Sequence, residues 1–552
     1  MTSYNWWNDS KPSIVTPLRV FIVSRLIYLY SSCTVMISNA IRVSEISRVN
    51  PTRADRVAAA SILARDGAPT TSALRAHTVD VAMSSVARTA PFRAPTRAPR
   101  ARRAVDAKRA CAAQATATKT HDDGFIAKAM EARASKALLA DSDEVKALAS
   151  ARAPTNRMEE YRFTDFAALT GVKAFVSTRA EGGVDARGLT VGEACATCAL
   201  VDGVMDGAQS TIEGATKAGV VIGMASVIGA DRVMGEQSAV RGNVFSAMNS
   251  ASAEDALVIR APAGVKCAMP IHVATLSTGA KDGDVMRVSA PRMTIVVEEN
   301  AELTVVEDFA GQGESAYWQN GVCEIVLEKG ASLKHSIVQN HGRNAVHTRT
   351  TLVTQAEESK YEVNEISVGG KTARHDLSIK QLGPRTETVL GCFNLAGAEQ
   401  TLDLHSKLQL DFEEGTSNQV HKCIVSASSG RGVFDGNVQV NRFAQRTDAK
   451  QLSRNLLLVP KATVNVKPNL QIIADDVKCT HGCTVSDLEE EELFYIQSRG
   501  LSVETARSLL VSGFGVEVIS RLPGKELRER VNSIVRAALE RDRVQFEWTG
   551  DK

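Results

Sequence analysis

The 552 residues are 44% hydrophobic and 23% charged, enough for a sizeable core and more than one folding unit. A formal net charge of only +2 gives no electrostatic reason to expect a polyanionic partner, whether nucleic acid or an acidic membrane face. The ten cysteines lack the tight, even spacing of a small disulfide framework, so a reducing compartment suits them best.

Residues 1–82 read as a possible upstream extension outside the mature protein, with Met83 as the expected initiator. Arg19 and Arg25 interrupt the apolar stretch Ile14–Ile37, so no clean membrane span is expected. Residues 83–120 carry nine Lys or Arg against the single acid Asp106, among Ser, Thr and Ala. That composition predicts a disordered organelle transit peptide, because import needs a cationic segment that cannot fold alone.

Residues 121–252 read as an N-terminal helical or mixed domain: FIAKAMEARASKALL and DEVKALASARA place apolar residues at helical spacing until Pro154 breaks the pattern. Cys195 and Cys198 form a lone CxxC, expected to be two small thiols on a helix. Residues 253–485 change period. Short β-branched runs such as MTIVVEENAELTVVEDF and CEIVLEKGASLKHSIV alternate with compact polar turns. The turns Val297–Leu303, Leu327–Leu333 and Leu458–Val464 are related: each has an apolar residue, a tight turn, Ala, a spacer, then an apolar residue again. So many short strands with so little helix between them predict a β-solenoid, with Gly369-Gly370 marking a corner. Residues 486–552 return to helix, with an expected capping box at Ser486–Glu489, a stop at Gly500, and helical spacing in VETARSLLVSG and GKELRERVNSIVRAALERD.

Gly369-Gly-Lys-Thr372 invites a phosphate-loop reading, but the position where such a loop needs its first glycine holds Glu365, whose charge repels phosphate. No nucleotide is expected on this chain. Cys479-Thr-His-Gly-Cys483 gathers two soft thiols and an imidazole, donors suited to iron–sulfur species, and strand alternation would set Cys479, His481 and Cys483 on one face. A packed cysteine pair beside a hydrogen-bonded histidine fits the spacing equally well. His335, His341, His347, His375, His405 and His421 have no carboxylate at a diagnostic interval and read mostly as structural. A β-helix lyase or hydrolase is the rival reading, with Asp475-Asp476 its best acidic pair.

The segment Gly430–Leu501 resembles the SufB/SufD family, and Ala474–Val485 has the ADDVxCxHGxTV pattern of its SufD branch; weaker similarity extends from Leu257 to Leu539. Cys483 departs from the alanine usual at its place. The resemblance implies a mainly β protein, a right-handed parallel β-helix flanked by helical domains. It further implies a non-catalytic scaffold in the plastid stroma that pairs with a SufB-like subunit and, in a complex holding two copies of the ATPase SufC, docks one on its C-terminal helices. His481, with Cys479 beside it, is implied as a ligand of iron and sulfide in a nascent cluster at the subunit interface; Cys483 is a speculative third. Flavin involvement and a SufD homodimer stay open.

Overall fold

The computed structural model describes residues 124–543 apart from 133–136, 178–184, 190–192, 230–233 and 280–284. The expected upstream extension and transit peptide lie outside the described residues.

The β-branched runs build a parallel β-solenoid in which consecutive strands enter alternate sheets. Tyr317–Leu327, Val346–Gln355, Thr372–Gln381, Thr401–Leu410, Arg431–Val440 and Thr463–Ile472 are successive neighbours in one sheet, called A here. Ser332–Asn340, Lys360–Ser367, Glu387–Ala396, Thr416–Val425, Asp448–Leu457 and Lys478–Ser486 follow one another in the other, sheet B. Every pairing along these two rows is parallel, and a residue meets its counterpart about 30 positions further on. Inward residues such as Leu303, Leu333, Val363, Leu404 and Val438 fill the lumen between the sheets. No single coil could enclose that apolar surface, so stacking is what makes the strands stable.

The related turns have one backbone solution. Asn300, Gly330 and Lys461, the third turn residue in each of the three aligned segments, all have positive φ, at 57°, 65° and 66°. Lys461 lies on the corner opposite the other two, so the same local turn serves both sides of the coil. Along one corner Asn300, Glu358, Arg385 and Glu414 each donate their N–H to a carbonyl of the following coil, at 2.9 to 3.0 Å. Such left-handed residues cost about 1 kcal/mol each without glycine, and the ladder bond offsets that cost. Gly369 and Gly370 do form a corner, where Gly370 has φ 83° and a Cβ on Gly369 would meet the His341 carbonyl oxygen at 2.2 Å.

The N-terminal part is less helical than its spacing predicts. Helices Phe125–Glu131 and Asp143–Ala147 are short, and aromatic residues Phe125, Tyr161, Phe166, Phe175 and Phe245 pack with Trp318 on the outside of sheet A. Cys198 lies on strand Ala196–Val201 with Cys195 just before it, so the expected helix is replaced by a strand that pairs with Ile271–Ser277. The solenoid core therefore starts at Ala196, inside the segment read as a separate N-terminal domain. Glu324 organises the junction: its carboxylate accepts from the N–H groups of Gly235, Gln237 and Ser238 at the start of helix Glu236–Arg241 and pairs with Arg292 at 2.8 Å, both side chains fully buried.

The C-terminal helices lie against sheet B. Ser486 ends the last strand and the helix begins only at Glu490 without a side-chain cap, so the expected capping box does not form. Helix Glu490–Gln497 ends before the expected stop at Gly500, whose φ is 84°, and helix Val503–Ile519 then runs through Gly513. Gly515 permits this docking, since a Cβ there would meet the Phe393 ring at 2.9 Å. With Lys525–Arg543 it covers a row of outward residues from Val306 to Leu458. No helix among the described residues is long and apolar enough to cross a membrane.

Candidate functional site

The two ends of the solenoid are finished differently. At the first coil the sheets end in antiparallel strands, Val221–Met224 on Leu257–Ala261 and the two-residue Val204–Met205 on Ala196–Val201. Short or reversed edge strands blunt further pairing. At the other end Thr463–Ile472 and Lys478–Ser486 are the outermost strands of ten and nine residues, each with a partner on one side only among the described residues.

Those two open edges are not equivalent. Thr463 N–H donates to the Gly430 carbonyl and Ile473 N–H to Val440, so odd-numbered residues of the outer sheet A strand face inward and Pro468 falls on the open side. Proline has no N–H to offer there, which weakens that edge as a template. In sheet B, Lys478 N–H donates to the Thr447 carbonyl at 2.8 Å, so even-numbered residues face the neighbouring strand. The peptide groups of Cys479, His481, Cys483 and Val485 consequently point out of the open edge.

The same three donor residues share a side-chain face, opposite Ala449, Gln451 and Ser453 of the lumen row. Cys479 is half-buried against the lumen core, whereas His481 and Cys483 are exposed. Burial pushes both thiols above the ordinary cysteine value, with the Ala449 backbone drawing Cys479 partly back, so each is held as a thiol. Among the described residues no group of three or more His, Cys, Asp and Glu is arranged to enclose a metal ion. Exposed apolar residues Ile472, Ile473 and Val485 lie at the same end.

Behind this face runs a column that no sequence motif announces. Register places Glu365, Cys392, His421, Ser453 and Cys483 on consecutive coils at one lumen position. His421 Nδ1 meets Ser453 Oγ at 3.0 Å, and the ring stacks on Phe434. Deeper in, Glu307 pairs with His335 at 2.6 Å and with Arg349, and His335 Nδ1 meets the Tyr361 hydroxyl at 2.9 Å. Burial raises the Glu307 carboxyl, but Arg349 and His335 more than offset it and leave the group below its ordinary value. His375 Nδ1 lies 2.6 Å from Glu365, the residue that stands in the false phosphate loop. His335 and His375 thus do have carboxylate partners on other strands, whereas His341 and His421 bond only to neutral groups. The coil period of about 30 residues, applied to polar residues, would have exposed the Glu307–His335 pair, which lies 28 positions apart.

Asp475 and Asp476 occupy the corner between the last two strands, with Asp476 N–H bonded to Gln445 at 2.9 Å. They lie on no strand.

Comparison with known proteins adds three findings. Residues 277–514 match the SufBD core domain of SUF-system FeS cluster assembly. The chain is 51% identical over 301 residues to the chloroplastic protein ABCI7 of Arabidopsis thaliana and 37% identical over 300 residues to a SufBD family protein of Synechocystis. It is 27% identical over 301 residues to the iron–sulfur cluster assembly protein SufD of Escherichia coli. These matches take 54%, 53% and 54% of this chain and span 63%, 65% and 71% of the three relatives. A parallel solenoid with an open terminal edge is thus overlaid by a SufBD core domain at residues 277–514, and over this region the chain is similar to SufD-type proteins of the SufB/SufD family.

Proposed function

We propose that the chain is a scaffold subunit of a plastid iron–sulfur cluster assembly complex, pairing with a SufB-like subunit along Lys478–Ser486 and carrying a SufC-like ATPase on its C-terminal helices. The carrying observation is the exposure of His481 on a strand with one open edge, whose outward peptide groups belong to the same residues that display the donors. A plastid setting is supported by the chloroplastic relative. ATP hydrolysis is assigned to the SufC-like partner.

Iron and sulfide are cargo in this reading. Cys479, His481 and, in this chain, Cys483 supply donors from one side, and the partner subunit completes the ligand shell. A cation arriving beside Cys479 lowers the cost of losing the thiol proton that burial has raised. His481, two positions along the same face, offers a nitrogen either to iron or to that proton. A polysaccharide-cleaving function has no comparable support, because Asp475 and Asp476 sit in a corner and not side by side on one sheet face.

The test replaces His481 with Ala in the complex with SufB-like and SufC-like partners. Complex formation should persist while anaerobic cluster reconstitution, followed by visible absorbance, is lost. Normal assembly by the variant complex would remove His481 from the site.

A further inference from the structure

The CxxC motif is not absorbed by the function proposed above, and its two cysteines are not each other's natural partners. Cys198 is three residues along an extended strand from Cys195, about 10 Å by strand rise. The residue beside Cys195 is Cys267, 72 positions later, with the two sulfurs 3.5 Å apart. Both converge on one acceptor: Cys195 Sγ and Cys267 Sγ each lie 3.4 Å from the Met269 carbonyl oxygen.

The surroundings fix this approach. Cys195 N–H donates to the Pro270 carbonyl at 2.9 Å, and Cys267 N–H donates to Glu302 of the following coil at 2.9 Å. Gly214 closes over Cys195, for a Cβ there would come within 2.2 Å of its carbonyl oxygen. Backbones held this way leave two χ1 rotations to bring the sulfurs from 3.5 Å to the roughly 2.05 Å of a bond. Cys267 is buried and Cys195 half-exposed, so one sulfur is reachable and the other resolves.

We infer that Cys195 and Cys267 form a reversible disulfide that staples the outer strand Ala196–Val201 to the first coils of the solenoid. The oxidant is a low-molecular-weight disulfide. The Cys195 thiolate attacks one of its sulfurs, its S–S bond breaks, and one small thiol departs carrying the proton that Cys195 gave up. Cys267 then loses its proton and attacks the Cys195 sulfur, displacing the second small thiol. The protein is oxidised by two electrons, and the small disulfide is reduced to two thiols that hold both protons. Burial and the neighbouring Cys267 push the Cys195 thiol up to about 12. The bridge therefore forms slowly at neutral pH and resists accidental oxidation.

The test incubates the reduced full chain with glutathione disulfide at neutral and alkaline pH, alkylates the remaining thiols, and maps non-reduced peptides by mass spectrometry. A Cys195–Cys267 linkage is expected, forming about tenfold faster per pH unit as the thiolate fraction grows. The oxidised protein should melt about 4 °C above the reduced one, because the bridge closes a long loop. Cys267→Ser should instead retain one glutathione on Cys195 and show no such rise. A Cys195–Cys198 linkage, or both thiols freely alkylated after alkaline exposure, overturns the assignment.

Discussion

Proline at position 483 separates the fold of the solenoid from its capacity to extend. The Cys483 N–H points out of sheet B and has no bond within the ladder, so Cys483→Pro should cost the isolated chain no more than about 1 kcal/mol, mostly from fixing φ. Thr484→Pro is the contrast. Its N–H faces strand Asp448–Leu457, and its loss with the ring clash should cost about 3 kcal/mol or more. A SufB-like strand added beside Lys478–Ser486 would meet the proline ring where a carbonyl must approach. Losing that bond and its two neighbours, at about 1 kcal/mol each, weakens association by about 3 kcal/mol, roughly 100-fold in Kd. Cys483→Ala removes the thiol alone and should bind as the parent does. Denaturant titration gives the stabilities and calorimetry with the SufB-like subunit gives Kd. Unchanged binding by Cys483→Pro, or destabilisation equal to that of Thr484→Pro, would refute the edge-pairing geometry.

Acid should loosen the solenoid before it unfolds the helices. Burial pushes His341 and His421 down to about 3, whereas an unfolded imidazole titrates near 6.5, so below neutrality the unfolded chain binds protons that the folded one refuses. Each should remove about 1 kcal/mol between pH 7 and about pH 5.5, partly countered by His405, which burial lowers but Asp403 raises on balance; a urea midpoint constant over that range would contradict this. Gly515→Val should drive a side chain into Phe393 and destabilise helix docking by about 2 kcal/mol, visible as faster proteolysis after Ile519. Glu324→Ala should cost about 4 kcal/mol, since it strands the buried Arg292 and uncaps helix Glu236–Arg241; calorimetry of the full chain measures it.

Much of this architecture was legible because its causes are local. Each coil repeats the same demand for β-branched residues and a left-handed corner, so the turn kinship of Asn300, Gly330 and Lys461 can be read before any coordinates exist. The displayed face of Cys479, His481 and Cys483 likewise follows from strand alternation. What escaped depends on register between distant segments. Nothing near His335 in sequence points to Glu307, and nothing near Cys195 points to Cys267. The N-terminal strand Ala196–Val201 was missed because Ala, Thr and Cys give little period, and its pairing with Ile271–Ser277 overrides weak local preference. Ser486 was misread for the opposite reason: a good capping pattern lost to continuation of the ladder.

Coils that touch only their immediate neighbours ordinarily come apart one at a time from a free end. The helices Val503–Ile519 and Lys525–Arg543 act as a splint against that, because their apolar faces bridge strands from Val306 to Leu458. A force delivered to those helices is therefore spread over the coils they bridge rather than borne by one of them. The terminal imidazole and its sulfur neighbours would then be re-aimed without a single coil having to unwind.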